Sequence, residues 1–198
     1  MPNDQQRVNS EFRFYRQHVV MSDVQSHRRL LNWFRLYYRA HQSILGLSPL
    51  SHKIIQSVSS LSFVPTFLLA WSLCRVNELH QIDVQGLKSF ERILLISSKG
   101  GHERYLAPFQ KFKLPLLRSV PDNTCINILS YDALARQIKS ARIRNNIELP
   151  GNQLDCTHIF RHIEASWAFH LGIPIDDISY MLGHKMNETT RKYIHDIY

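Results

Sequence analysis

Two short stretches hold residue types suited to phosphate chemistry. In THIFRH, His158 and Arg161 stand three apart, which on a helix puts them on one face. Asp155 or Thr157 would cap that helix, leaving His158 in its first turn. A guanidinium grips two phosphate oxygens, an imidazole can shuttle a proton, and a helix N-terminus favours an anion. Ile159, Ile163 and Trp167 supply apolar contacts on other sides, so the His/Arg edge is expected to face a cleft. In LGHKMNETTRKYIH, the pair Gly183-His184 precedes Tyr193, nine residues beyond the histidine. That tyrosine is either core filler on a last helix or a nucleophile.

Other candidates are scattered. Arg75 ends an apolar run, where a charge needs a partner or a task, and Glu78 is placed to pair with it. Lys99 sits at a Lys-Gly-Gly turn, where most lysines are simply solvated. His158, His162 and His184 could in principle bind a metal. However, HIFRH lacks the glutamate of HExxH and puts an arginine between its histidines, so no metal is expected. Taken singly, each of these features has a bland reading as a surface pair, an ion pair or a solvated side chain.

The elements that must position them follow from periodicity. Residues 7–44 form a helical arm in which Leu30, Leu31, Phe34, Tyr37 and Tyr38 recur at helical spacing, with Arg28, Arg29, Arg35 and Arg39 between them. Ser22 or Asp23 would start its helix, and Gly46 with Pro49 would break it. Helical pattern resumes from Ser51 to Leu79. ERILLISSKGGHERYLAPF then reads as two strands around a tight turn. Residues 129–144 form a helix carrying Arg136, Lys139, Arg142 and Arg144, and three short helical segments follow to the end. Helices around a small antiparallel sheet make an α+β, mostly helical fold.

Composition limits the function classes. A formal charge of +8 favours a polyanionic partner, either nucleic acid or an anionic membrane surface. The most apolar stretch, LSFVPTFLLAWSLC, is too short to span a bilayer, and MPNDQQRVNS lacks an apolar signal core. Cys74, Cys125 and Cys156 are odd in number and widely spaced, so no disulfide framework or zinc ribbon is expected. These features predict a soluble, intracellular, cytoplasmic protein.

The order of the candidates is more specific than any one of them. Arg, Lys, HxxR, GH and Tyr, found here in CRVNEL, SSKGGHERYLAP, THIFRH, LGHK and TTRKYIH, resemble the tyrosine recombinase (integrase) family over roughly residues 50 to 195. The spacings fit: 24 from Arg75 to Lys99, 23 from Arg161 to His184 and nine from His184 to Tyr193. Glu78, Leu79, Asp83, Gly172 and Thr190 also stand where that family usually has them.

The resemblance implies an integrase-type catalytic domain over residues 46–198, preceded by a short helical arm, 1–45, as a minimal DNA-clamp element. It implies double-stranded DNA as substrate, a homo-oligomer (dimer or tetramer) on DNA, and neither metal nor other cofactor. Tyr193 would attack a phosphodiester and form a 3′-phosphotyrosyl link. Arg75 and Arg161 would hold the nonbridging oxygens, and Lys99 would protonate the leaving 5′-oxygen. His158 would position or deprotonate the nucleophile, and His184 would donate to the phosphate. An unassisted phenol titrates near pH 10, so neighbouring cations and a base are needed.

Tyr198 and Tyr180 are rival nucleophiles, but Tyr180 lies inside the apolar ISYML run and is expected in the core, and a terminal Tyr198 is expected to fray. The family often has a glycine just before its first arginine, where this chain has Leu73 and Cys74. The arm is short for a full clamp, so an accessory DNA-binding protein is one way to supply grip. The five residues after Tyr193 leave no tail helix for a neighbouring protomer. A type IB topoisomerase-like relaxing enzyme and a non-catalytic architectural protein on the same fold are the rival readings. HxxR in place of KxxR opposes the first, and the complete catalytic set opposes the second.

Overall fold

The computed structural model describes residues 24–42, 45–89, 93–96, 103–106, 118–122, 124, 126, 129–148 and 157–198. Lys99, Asp155, Cys125, Cys156 and the first 23 residues of the arm lie outside the described residues.

Helix α1 (Val24–His41) buries Leu30, Trp33, Phe34, Tyr37, Tyr38 and His41, one stripe at helical spacing. That stripe enters the main core with edge-on ring contacts, Phe34 to Phe67 at 5.8 Å and Tyr38 to Phe63 at 5.6 Å. The helical pattern from Ser51 to Leu79 resolves into three pieces rather than one. Helix α2 (Pro49–Ser57) starts at Ser48, whose hydroxyl accepts from Ser51 N–H at 3.0 Å, with proline at the first position. The chain turns extended at Val58 before α3 (Ser60–Ser72), a helix buried on nearly every side from Ser62 to Ala70. A 3-10 helix, Val76–Gln81, comes next. In its first turn Glu78 N–H donates to Arg75 O at 2.8 Å, and the Glu78 carboxylate accepts from the Arg75 backbone N–H at 2.9 Å.

After the short α4 (Val84–Ser89), strands β1 (Ile93–Ile96) and β2 (Glu103–Leu106) pair antiparallel with Leu95 opposite Arg104 and Ile96 opposite Glu103. The Gln81 side chain extends β1 by donating to Ile96 O at 2.9 Å and accepting from Ile96 N–H at 2.6 Å. Helix α5 (Tyr131–Arg144) is capped by Ser130 and buries Tyr131, Leu134, Ile138 and Ala141. Three helices complete the chain: α6 (Ile159–His170), α7 (Ile175–Leu182) and α8 (Asn187–Arg191). The outcome is the mostly helical fold with a two-stranded antiparallel sheet that the periodicity predicted.

Two apolar clusters organise these elements. The main one joins α1–α6 and β1–β2. A smaller one, of Leu73, Ala165, Ala168, Ile178 and Leu182, packs against Tyr193 and Ile194. Among the described residues no helix is long and apolar enough to cross a membrane, and no group of three or more His, Cys, Asp or Glu could hold a metal ion.

Candidate active site

Four of the candidates, Arg75, Arg161, His184 and Tyr193, meet where α3 and α7 end. Leu73 closes α3 in the left-handed conformation, φ +52°, and Gly183 closes α7 in the same way, φ +67°. A helix end leaves carbonyls without intrahelical donors, and here they are taken by buried arginines. Arg161, on α6, donates from Nη1 to Leu73 O and from Nη2 to Leu182 O at 2.6 Å. It is 1% exposed, so the cleft-facing edge expected for His158 and Arg161 is instead roofed over at the arginine. His158 occupies the N-cap position of α6, half-buried and without a side-chain cap bond, in place of Asp155 or Thr157. Burial first, and then the neighbouring Arg75 charge, lowers the Arg161 pKa.

Arg75 and Glu78 do pair: Arg75 Nη1 donates to Glu78 Oε1 at 3.1 Å and the Arg75 backbone N–H to Oε2 at 2.9 Å. Glu78 is also 3.7 Å from Arg104 Nη2. Arg104 was not among the sequence candidates. It lies on the inward face of β2 with Leu106, 5% exposed, and its Nη1 donates to Ser72 O and Met181 O, both at 2.6 Å. The signal was present in the alternation of ERYL, where Arg104 and Leu106 share a face.

His184 stands at one end of a hydrogen-bond chain whose direction is fixed by proton counting. The Ser179 hydroxyl donates its single proton to Asn187 Oδ1 at 2.7 Å, so Thr190 must be the donor in its 2.5 Å bond to Ser179. Thr190 Oγ1 then accepts from His184 Nδ1–H at 2.9 Å, and His184 Nε2 accepts from Arg161 Nη2 at 3.1 Å. Asn187 Nδ2 in turn donates to Asp176 Oδ1. His184 is therefore the neutral Nδ1–H tautomer. Its pKa is pushed down to about 4, mainly by burial and then by Arg161, Arg75 and Arg104.

Tyr193 lies half-buried against this group. Its ring stacks on His162 at 4.4 Å, tilts against His184 at 4.9 Å, and lies 5.5 Å from the Arg161 guanidinium carbon. His162 sits between Tyr193 and His195, with His162 Nδ1 2.8 Å from His195 Nε2. Burial, then the His195 and His158 charges, pushes the His162 pKa down to about 4, so it is a neutral ring in this stack. The stacking of His162 on the tyrosine, with His195 bonded behind it, was not visible in sequence, because His162 and His195 are 33 residues apart.

The rival tyrosines sit elsewhere. Tyr180 is 55% exposed, against the expectation that it lies in the core: Ile178 and Leu182 form the buried side of α7, and Tyr180 projects from another side. Tyr198 is docked rather than frayed, packed on Trp167 at 5.0 Å and donating to Ile163 O at 3.4 Å. Burial raises its pKa above the ordinary phenol value.

The basic candidates divide in two. Arg28, Arg39, Arg136 and Lys139 are exposed. Arg29 donates to Ser119 O at 3.2 Å, Arg35 to Ser60 Oγ at 2.6 Å and Arg144 to Ser57 O at 2.5 Å. Arg142 is half-buried, with its Nε enclosed.

A family model described as the phage integrase family matches residues 50–198. A crystal structure of XerA recombinase superposes with a TM-score of 0.53 at 20% identity, covering 75% of this chain and 59% of that one. The catalytic domain of bacteriophage HP1 integrase superposes with a TM-score of 0.49 at 21% identity, covering 73% of this chain and 80% of that one. No curated protein matches the chain significantly.

Proposed function

The chain belongs to the phage integrase family, and on that premise we propose that it is a site-specific DNA recombinase or integrase acting through a 3′-phosphotyrosyl intermediate at Tyr193. The observation that carries the reading is the packing of the Tyr193 ring against Arg161, His184 and His162. Residues far apart in the chain converge there on one phenol, while Tyr180 and Tyr198 have no such company.

In this reading the Tyr193 oxygen attacks phosphorus, the phosphorus–5′-oxygen bond breaks, and Lys99 protonates the departing oxygen. Attack by a 5′-hydroxyl reverses the step, so bond energy is kept in the covalent link. Arg75 and Arg161 stabilise charge on the nonbridging oxygens. His158 positions or deprotonates the phenol. His184 donates to the phosphate from Nε2, which in the structure accepts from Arg161, so donation requires that it gain a proton. An arriving phosphate favours this, because its charge offsets the arginines that hold the His184 pKa down.

DNA contact falls first to the exposed Arg28, Arg39, Arg136 and Lys139. Arg29, Arg35, Arg142 and Arg144 can join them where their present bonds permit. Residues 1–45 would serve as a minimal clamp arm, and a dimer or tetramer on DNA, with or without an accessory protein, would supply the second duplex.

The test is a suicide DNA substrate covering the termini of the protein's own element. A covalent adduct lost in Tyr193→Phe and retained in Tyr198→Phe is expected; an unchanged adduct in Tyr193→Phe would sink the assignment. Relaxation of any supercoiled plasmid without sequence preference would favour a type IB topoisomerase-like activity. Salt-sensitive binding with no adduct on any substrate would favour an architectural protein.

A further inference from the structure

Two buried guanidiniums take consecutive carbonyls on the same pair of chain segments. Arg104 binds Ser72 O and Met181 O, and Arg161 binds Leu73 O and Leu182 O. These four carbonyls belong to the C-terminal turns and caps of α3 and α7. Two helix C-termini that face one another repel through their dipoles, and a cation between them removes that repulsion. Arg161 already has a place in the proposed chemistry. Arg104 is a second, separate link between the same segments, made from the hairpin.

We propose that Arg104 is a positioning residue for the phosphate-binding groups, holding Arg75 and His184 at a fixed separation by tying together the segments that lead into them. Ser72 is three residues before Arg75, and Met181 is three before His184. The same guanidinium reaches a third point. Its Nη2 lies 3.7 Å from the Glu78 carboxylate that pairs with Arg75, so it shares the charge that restrains that side chain.

Gly183 closes against Arg104 as well: a Cβ built on it would lie 3.5 Å from Arg104 Cδ and Nε. A leucine at the inward face of β2 would fill the space without the cost of burying a charge. Lysine would keep the charge but not the planar fork that spans two carbonyls and a carboxylate. Arg104 reaches none of the reacting atoms in this assignment; it acts through Arg75 and His184.

The inference rests on the recombinase reading, and its test separates the two. Single-turnover adduct formation is measured for the full-length wild type, Arg104→Lys and Arg104→Gln on a suicide duplex. The measurement is repeated with a neutral methylphosphonate at the scissile position. A methylphosphonate is neutral and its transition state carries one negative charge fewer than that of the phosphodiester, so misplacing Arg75 and His184 costs less on that substrate.

On the phosphodiester the variants are expected to be about 10- to 100-fold slower than wild type, and on the methylphosphonate within about threefold of it. Equal slowing on both substrates, with circular dichroism and the melting point showing folded protein, overturns the proposal, as does an unaffected phosphodiester rate. Unfolding of both variants at assay temperature assigns Arg104 to fold stability and overturns it too. A wild type that forms no Tyr193-dependent adduct on either substrate refutes the recombinase reading itself, and the proposal falls with it.

Discussion

Replacing Thr190 with valine should break the chain that orients His184. Thr190 is fully buried, and its hydroxyl both accepts from His184 Nδ1–H at 2.9 Å and donates to Ser179 Oγ at 2.5 Å. Valine matches its shape, so packing is preserved while two polar atoms lose their partner. An orphaned buried donor costs about 1–3 kcal/mol, and the Ser179 acceptor adds roughly 1, giving about 2–4 kcal/mol in all. For a chain of this size that lowers the melting temperature by about 5–15 °C. Thr190→Ser keeps the hydroxyl and should recover most of the loss.

Nitrogen-15 NMR on histidine-labelled protein reads the cause directly. Wild-type His184 should be the Nδ1–H tautomer near neutral pH, and Thr190→Val should lose that single tautomer. In the adduct assay Thr190→Val should be slowed more than Thr190→Ser. An Nε2–H tautomer in the wild type would refute the proton count, and equal stability of the valine and serine variants would refute the energetic step.

Two further outcomes concern the supports of the site. Glu164 on α6 is buried and accepts from Ser48 N–H and Oγ–H at the start of α2. Burial outweighs these bonds and pushes its pKa from 4.5 up to about 7. A raised folded pKa means stability that is full below the unfolded value and lost as pH rises toward 7. Urea unfolding should therefore show wild type losing roughly 3 kcal/mol relative to Glu164→Gln between pH 4.5 and 8, and parallel pH profiles would refute this. At Leu73, φ +52° favours glycine, while the side chain is buried in the second cluster. Both Leu73→Ala and Leu73→Gly should destabilise by about 2–5 kcal/mol through the cavity. Glycine should be the milder by about 1 kcal/mol, because it alone relieves the left-handed backbone. A glycine variant less stable than the alanine variant would contradict that accounting.

The parts of the site legible in sequence are those where residue type and short spacing state the chemistry. HxxR and the Gly-His pair before Tyr193 are of this kind; the two strands read on either side of Lys99 do pair in the structure, while Lys99 itself lies outside the described residues. The parts that were not legible depend on main-chain acceptors, which leave no mark on residue identity. Nothing in the letters of Ser72, Leu73, Met181 and Leu182 says that their carbonyls receive two arginines. The break at Val58 within an otherwise helical pattern was hidden for a similar reason, since it depends on how α2 and α3 cross the core. Tyr180 is exposed although the apolar ISYML run reads as buried, because helical spacing from Ile178 to Leu182 leaves position 180 on another side. Leu73 held a clue of its own. The family often has a glycine just before its first arginine, and this chain turns left-handed at Leu73 without one.

The charges of the site give these supports a common reason. Glu78 lies within ion-pair range of Arg75 and Arg104, and Arg161 stands near the same carboxylate. Two of the three guanidiniums are nearly inaccessible to water, and their pKa values are lowered mainly by burial. A fold optimised for stability alone would neutralise or remove such a surplus. Helix-end carbonyls offset it only in part, since they carry partial rather than whole charges. What remains is a positive site whose cost is met by the rest of the core and relieved by an anion. Burial first, and then Arg161, Arg75 and Arg104, keeps His184 neutral beside Tyr193, while His162 is kept neutral by burial and then by His195 and His158. With three guanidiniums close by, another cation on the His184 ring would add repulsion. In the recombinase reading, the charge this site would take next is the negative one of a phosphate.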